Sequence, residues 1–138
     1  MAVGLSGAVG ELVDNFIDSD NNNRIDLTNL VEELGDIEFY FEGLCQTYGI
    51  ERLIPTNDFV KEHSHSLNLL SVVSASAAVL DLVKKEVIYN KSAEHAGVGL
   101  ELLKMRVHLD NVYAEYPQNH VTPEKARAAN LEKLLKRG

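Results

Sequence analysis

Apolar residues recur three and four positions apart through most of this chain, and that period admits helices and little else. Residues 3–17 place Val3, Leu5, Val9, Leu12, Val13 and Phe16 at mostly helical spacing. The segment from Leu27 to about Gly49 repeats the pattern with Leu30, Val31, Leu34, Ile37, Phe41 and Leu44. Between them DSDNNNRID is dense in side chains that bond nearby backbone, which favours a turn and gives a helical hairpin. LNLLSVVSASAAVLDLV, residues 67–83, is rich in small Ala and Ser that let another helix approach, and it is read as a central buried helix continuing to Ile88. Residues 94–115 form another helical stretch, weakened at its start by Gly97 and Gly99, each costing ~1 kcal/mol relative to Ala. Thr122-Pro123-Glu124 opens a last helix with Thr as N-cap, Pro in the first turn and Leu131, Leu134 and Leu135 on one face. Pro55, Thr56, Asn57 and Asp58 interrupt the periodicity as a linker whose polar members can cap a short helix near Phe59. No segment reads as a strand. The expectation is an all-α bundle of about five helices in one domain over residues 1–138, with halves at about 1–50 and 66–138 joined by a linker at about 51–65.

The two halves align weakly. GAVGELVDNF (7–16) lies on SASAAVLDLV (74–83) and ELGDIEFYF (33–41) on ELLKMRVHL (101–109), at offsets of 67 and 68. Asp14 then matches Asp81 and Glu33 matches Glu101, but Glu11 becomes Ala78 and Asp36 becomes Lys104, so the second copy is degenerate in acids. Either the chain holds two pseudo-repeated hairpins, burying helices against their own copy, or two unrelated amphipathic hairpins align passably.

Charge separates the halves further. Residues 1–50 carry ten acids against Arg24 alone, whereas residues 51–138 carry eleven acids and twelve bases. This argues against a nucleic-acid polymer as partner, because phosphate contacts need clustered Lys and Arg. It suits a cation site in the first half and an anion contact nearer the end. One cysteine, Cys45, permits no intrachain disulfide. The start lacks a basic n-region, and no uninterrupted apolar stretch reaches the ~20 residues that span a bilayer. The expectation is a cytoplasmic protein without a membrane partner.

On a helix, residues three apart share a face, so Glu11 with Asp14 and Glu33 with Asp36 each present two carboxylates in one direction. Such pairs are commonly a solvated acidic face. When the carboxylates of two helices converge they repel unless a cation lies between them, and a hard ion such as Mg²⁺ takes oxygen ligands.

GLSGAVGELVD followed by NLVEELGDIEFYFEGLCQTYGI resembles the MazG-like family of all-α nucleoside triphosphate pyrophosphohydrolases, marked by E-x-x-E on one helix and E-x-x-D on the next. LLSVVSASAAVLDLVKKEVIYNK resembles that family's first helix with its following Lys-Lys and Tyr-x-Lys. VTPEKARAANLEKLLKR resembles its terminal helix with Ala-Asn-x-x-Lys. The resemblance implies a MazG-like bundle that hydrolyses nucleoside triphosphates to the monophosphate and pyrophosphate, with Mg²⁺, or Mn²⁺ in its place. Glu11, Glu33 and Asp36 would be the catalytic metal ligands. Ala8 stands where the family's first acid is expected, with Asp14 as the residue able to compensate. Lys84, Lys85, Lys91, Asn130, Lys133 and Arg137 are the phosphate-binding candidates. Ala8 also opens the alternative of a catalytically impaired protein that binds a nucleotide or a partner. A homo-oligomer is expected, since exposed apolar helix faces need partners.

Three other features have blander readings. Phe39, Tyr40 and Phe41 are read as core or interface packing, and His63 and His65 as exposed, with no third metal ligand nearby. DSDNNNRIDLTN (18–29) resembles an EF-hand calcium loop through Asp18, Asp20, Asn22, Ile25 and Asp26. It has Asn23 and Asn29 where the sixth-position Gly and the bidentate Glu belong.

Overall fold

The computed structural model describes residues 1–22, 24–50, 64–89, 95–116 and 121–137. They form five helices and no strand: α1 (Ala2–Asn22), α2 (Leu27–Thr47), α3 (His65–Tyr89), α4 (His95–Ala114) and α5 (Pro123–Arg137). The short helix expected near Phe59 and Lys91 lie outside the described residues.

Local chemistry sets several helix boundaries. Asp26 caps α2, its Oδ1 accepting the Asn29 N–H at 3.1 Å. Ser64 caps α3 through Leu67 N–H, and Thr122 caps α5 through Lys125 N–H, both at 3.2 Å. The end of α2 closes at Gly49, whose φ of 63° is the left-handed geometry that glycine adopts without strain, while Ile50 N–H donates back to the Cys45 carbonyl at 2.8 Å.

α1 and α2 pack antiparallel, with Met1 resting on Gly43. Phe16, near the end of α1, meets His65 at the start of α3 with ring centroids 4.4 Å apart. α3 and α4 pair through Asn68, whose Oδ1 lies 3.0 Å from His108 Nδ1 and accepts from Asn111 at 3.2 Å. α5 lies on α2, where Gly35 has no room for a Cβ because the Ala126 carbonyl occupies its place. Full burial of Leu5, Leu12, Leu30, Leu34, Ile37, Leu102, Met105 and Leu109 supplies the main cohesion, each worth roughly 1.5–3 kcal/mol.

Many matching positions are buried in both hairpins, although buried Phe16 and Val107 match half-buried Val83 and exposed Phe39. Leu30, Leu34, Ile37, Glu38, Phe41, Leu44 and Cys45 in α2 correspond, 68 residues on, to the buried Val98, Leu102, Met105, Arg106, Leu109, Val112 and Tyr113 in α4. Leu5, Ala8, Val9 and Leu12 in α1 correspond, 67 residues on, to Val72, Ala75, Ser76 and Val79 in α3. This is the packing that a duplicated hairpin would have.

Three expectations need correction. α3 is not the central buried helix: it buries a stripe of Asn68, Val72, Ala75, Ser76 and Val79 but exposes Leu67, Leu70, Val73, Val87 and Ile88. Its composition is apolar on every side, and α4 and α1 cover only one of them. α3 is also long and apolar enough to cross a membrane by length and composition alone, because Ser and Asn interrupt its apolar run without lowering the average of its most apolar stretch far. Leu131, Leu134 and Leu135 of α5 are exposed, since α5 meets α2 through the small Ala126 and the amide of Asn130. Segment 18–29 departs from an EF-hand loop in structure as it does in sequence, because α1 continues as helix through Asn22.

Among the aromatic residues, Phe41 is buried, Tyr40 half-buried and Phe39 exposed.

Candidate metal centre

α1 and α2 bring Glu11, Glu33 and Asp36 together, with one carboxylate oxygen from each lying within 4.8 Å of the other two. Glu11 stands at the solvent edge, while Glu33 and Asp36 are half-buried. Glu33 is the uncomfortable member. Its Oε2 is enclosed and has no hydrogen-bond partner among the described residues. Burial first, then the adjacent Glu11 carboxyl through hydrogen bonding and charge, then the charge of Asp36, push the Glu33 carboxyl up to about 7, with Lys133 opposing. Three converging carboxylates, one of them with an enclosed, unpartnered oxygen, fit a hard divalent cation such as Mg²⁺ or Mn²⁺.

α5 supplies the site's polar roof. Asn130 donates to Asp36 Oδ1 at 2.8 Å, and the Lys133 ammonium spans both Asp36 oxygens at 3.0 and 3.1 Å. The close approach at Gly35 is what brings this face of α5 onto α2. Beyond Lys133, a cleft of about 670 Å³ opens between the start of α2 and the end of α5, with Lys125, Lys133, Lys136 and Arg137 facing Glu32 and Glu132.

Of the residues singled out from sequence, Glu11, Glu33, Asp36, Asn130 and Lys133 form one cluster, and Arg137 lines the adjoining cleft. Asp14 is exposed and outside the three-acid group. Ala8, one turn before Glu11, is buried in the core. Lys84 and Lys85 lie elsewhere, near the end of α3. That end reaches α2 through Glu86, which accepts from Tyr48 at 2.9 Å, twelve residues and roughly 18 Å along α2 from Asp36. Lys85 instead pairs with Asp81 at 2.9 Å on the surface.

Sequence reasoning missed the buried polar hub behind the site. Glu38, 1% exposed, accepts a bidentate pair from Arg106 at 2.8 Å each and a hydrogen bond from Tyr113 at 2.9 Å. Arg127 of α5 reaches the same carboxylate at 3.5 Å. Arg106 also donates to Asp110 at 2.9 Å and lies over the Phe41 ring at 5.2 Å. A signal was present: Glu38 and Arg106 are the charged members of otherwise apolar helical stripes, a place where charge occurs only when paired.

In the second hairpin, the positions matching Glu11, Glu33 and Asp36 are Ala78, Glu101 and Lys104. They line a groove between α3 and α4, where Lys104 pairs with Glu101 at 3.2 Å.

Comparison with family models, curated proteins and solved structures returns no match.

Proposed function

We propose that this chain is a divalent-cation-dependent nucleoside triphosphate pyrophosphohydrolase, a reading that rests on the convergence of Glu11, Glu33 and Asp36, of which Glu33 holds an enclosed, unpartnered Oε2. Glu11, Glu33 and Asp36 would hold Mg²⁺, with Mn²⁺ as a substitute. When bound, the ion supplies neutralisation of phosphate charge and a water made more acidic. Glu11, at the solvent edge, is placed to accept the proton of a water whose oxygen attacks the α-phosphorus. The bond from that phosphorus to the bridging oxygen breaks, and pyrophosphate leaves. Lys133, Lys125, Lys136 and Arg137 attract the triphosphate into the cleft beside the acids. Lys133 neutralises Asp36 until the phosphates arrive and then has them as a second partner.

Ala8 favours a second reading, nucleotide binding without turnover, because a buried methyl group stands in the place of a fourth acid. Pyrophosphate release from ribo- and deoxyribonucleoside triphosphates with Mg²⁺ or Mn²⁺ separates the two readings. Release by the unmodified chain that disappears in Asp36→Asn supports the enzyme. Nucleotide binding without release supports the second reading, and neither binding nor release rejects both. Ala8→Glu adds a further expectation: a carboxylate forced into that buried position destabilises the cation-free protein, and Mg²⁺ recovers much of the loss if the new acid reaches the ion. Thermal unfolding with and without Mg²⁺ measures this.

A further inference from the structure

A second polar cavity, of about 580 Å³, lies at the turn between α1 and α2, away from the three acids. Asn15, Asp18, Asn22, Asp26 and Asn29 line it, with Arg24 at its wall. Asn15 is 5% exposed, and its Oδ1 is enclosed with no hydrogen-bond partner among the described residues. An enclosed amide oxygen left in that state costs about 1–3 kcal/mol unless something meets it.

The surrounding donors are already oriented. Asn22 spends its Nδ2 on the Asp18 carbonyl at 2.9 Å, which leaves its Oδ1 as the other end of the amide. Asp26 uses Oδ1 to cap α2, which leaves Oδ2 outside that bond. The Asp18 carboxylate is exposed. The cavity also sits at the C-terminal end of α1, where helix carbonyls carry partial negative charge, and the last turn of α1 has no basic residue to answer it.

We propose that this turn is a second cation site, binding a hard divalent ion through Asn15, Asp18, Asn22 and Asp26. The donor set is oxygen throughout, with two neutral amides and two carboxylates irregularly spaced along a helix end and a cap. This suits the larger, geometrically tolerant Ca²⁺ better than Mg²⁺, which demands near-ideal octahedral placement. The site is not an EF-hand: Asp18 and Asn22 are one helical turn apart, and Asn15 lies outside the loop-like segment altogether. Two carboxylates and a nearby guanidinium make it weak, with a dissociation constant of about 10⁻³ M. The ion would tie the end of α1 to the cap of α2, holding the hairpin that carries Glu11 and Glu33.

Calorimetric titration of the full chain with CaCl₂ tests this independently of the three-acid centre when done on the Glu33→Gln, Asp36→Asn double variant. One Ca²⁺ per chain is expected to remain there, and Asp18→Asn added to that background weakens it about tenfold or more. Arg24→Gln strengthens it, by removing the opposing charge. In thermal unfolding, the rise produced by Ca²⁺ is lost in Asn15→Leu. The proposal is overturned if the double variant binds no Ca²⁺ at about ten times the stated dissociation constant, or if its binding is indifferent to Asp18→Asn. It is also overturned if Asn15→Leu shifts stability equally with and without Ca²⁺, which marks the amide as an ordinary unsatisfied core group. Asp18 is exposed, so its variant reports on binding even where Asn15→Leu fails to fold.

Discussion

Glu33 is held where its charge is unwelcome, and the consequence is a measurable pH dependence. Its carboxyl ionises near its ordinary value of 4.5 in an unfolded chain but only at about 7 in the folded one. Below 4.5 both states are protonated and nothing is lost. Between 4.5 and 7 the unfolded chain ionises while burial and Glu11 keep the folded carboxyl protonated, so this contribution to stability falls across that window and is gone above 7. Without divalent cations, Glu33→Gln should match the parent at pH 4 and unfold a few degrees above it at pH 8; added Mg²⁺ should raise the parent at pH 8 far more than at pH 5. Thermal melts across that range decide it, and a Glu33→Gln variant that melts no higher than the parent at pH 8 would contradict the assignment. Asn130 gives a second test. In the proposed site its bond to Asp36 would orient a metal ligand, and losing such an orienting partner typically costs 10–100-fold in metal affinity, so Asn130→Leu should weaken Mg²⁺ binding by about that factor. Glu33 and Asp36 were legible because acids three apart must share a helix face, and Asn130 and Lys133 through a family-like spacing. The hydrogen bonds that join them cross 94 and 97 positions of sequence, and no local period encodes such a contact.

At the level of helices, periodicity gave the elements and misjudged which faces meet. α5 shows why. Leucines at 131, 134 and 135 look like a packing face, but a helix can approach α2 at Gly35 only with small side chains, and Ala126 is what fits. Close approach depends on the partner's surface, which a single helix's pattern does not contain. Gly35→Ala should push α5 outward, costing about 1–3 kcal/mol in urea unfolding and weakening Mg²⁺ binding together, because Asn130 and Lys133 move with the helix. α3 was misjudged for the opposite reason: apolar residues around its whole circumference leave the period without a direction, and contact with α4 and α1 alone chose the buried stripe. Boundaries were more readable. Thr122 and Asp26 cap the helices as their side-chain chemistry requires, although α1 runs on through Asn22, where a dense set of Asp and Asn suggested an earlier end.

Across the whole molecule, the charge asymmetry of the sequence becomes a division of labour in which α1 and α2 carry the acids and α5 covers them with amide and ammonium groups. The buried ion pair of Glu38 with Arg106 ties these parts to α4. Removing one member of such a pair leaves an uncompensated buried charge, so Arg106→Met alone should cost about 3–5 kcal/mol, while Arg106→Met with Glu38→Leu should cost much less. Urea unfolding of the single and double variants measures the difference. The two residues occupy matching places in their hairpins, 68 positions apart, and they touch. In an assembly of two identical hairpins, whatever stood at that place would face itself, and glutamate would repel glutamate just as arginine would repel arginine. Only partners permitted to differ can hold opposite charges there. The pair therefore acts as a lock with one keyed orientation: the first hairpin fits a second hairpin and rejects another first hairpin.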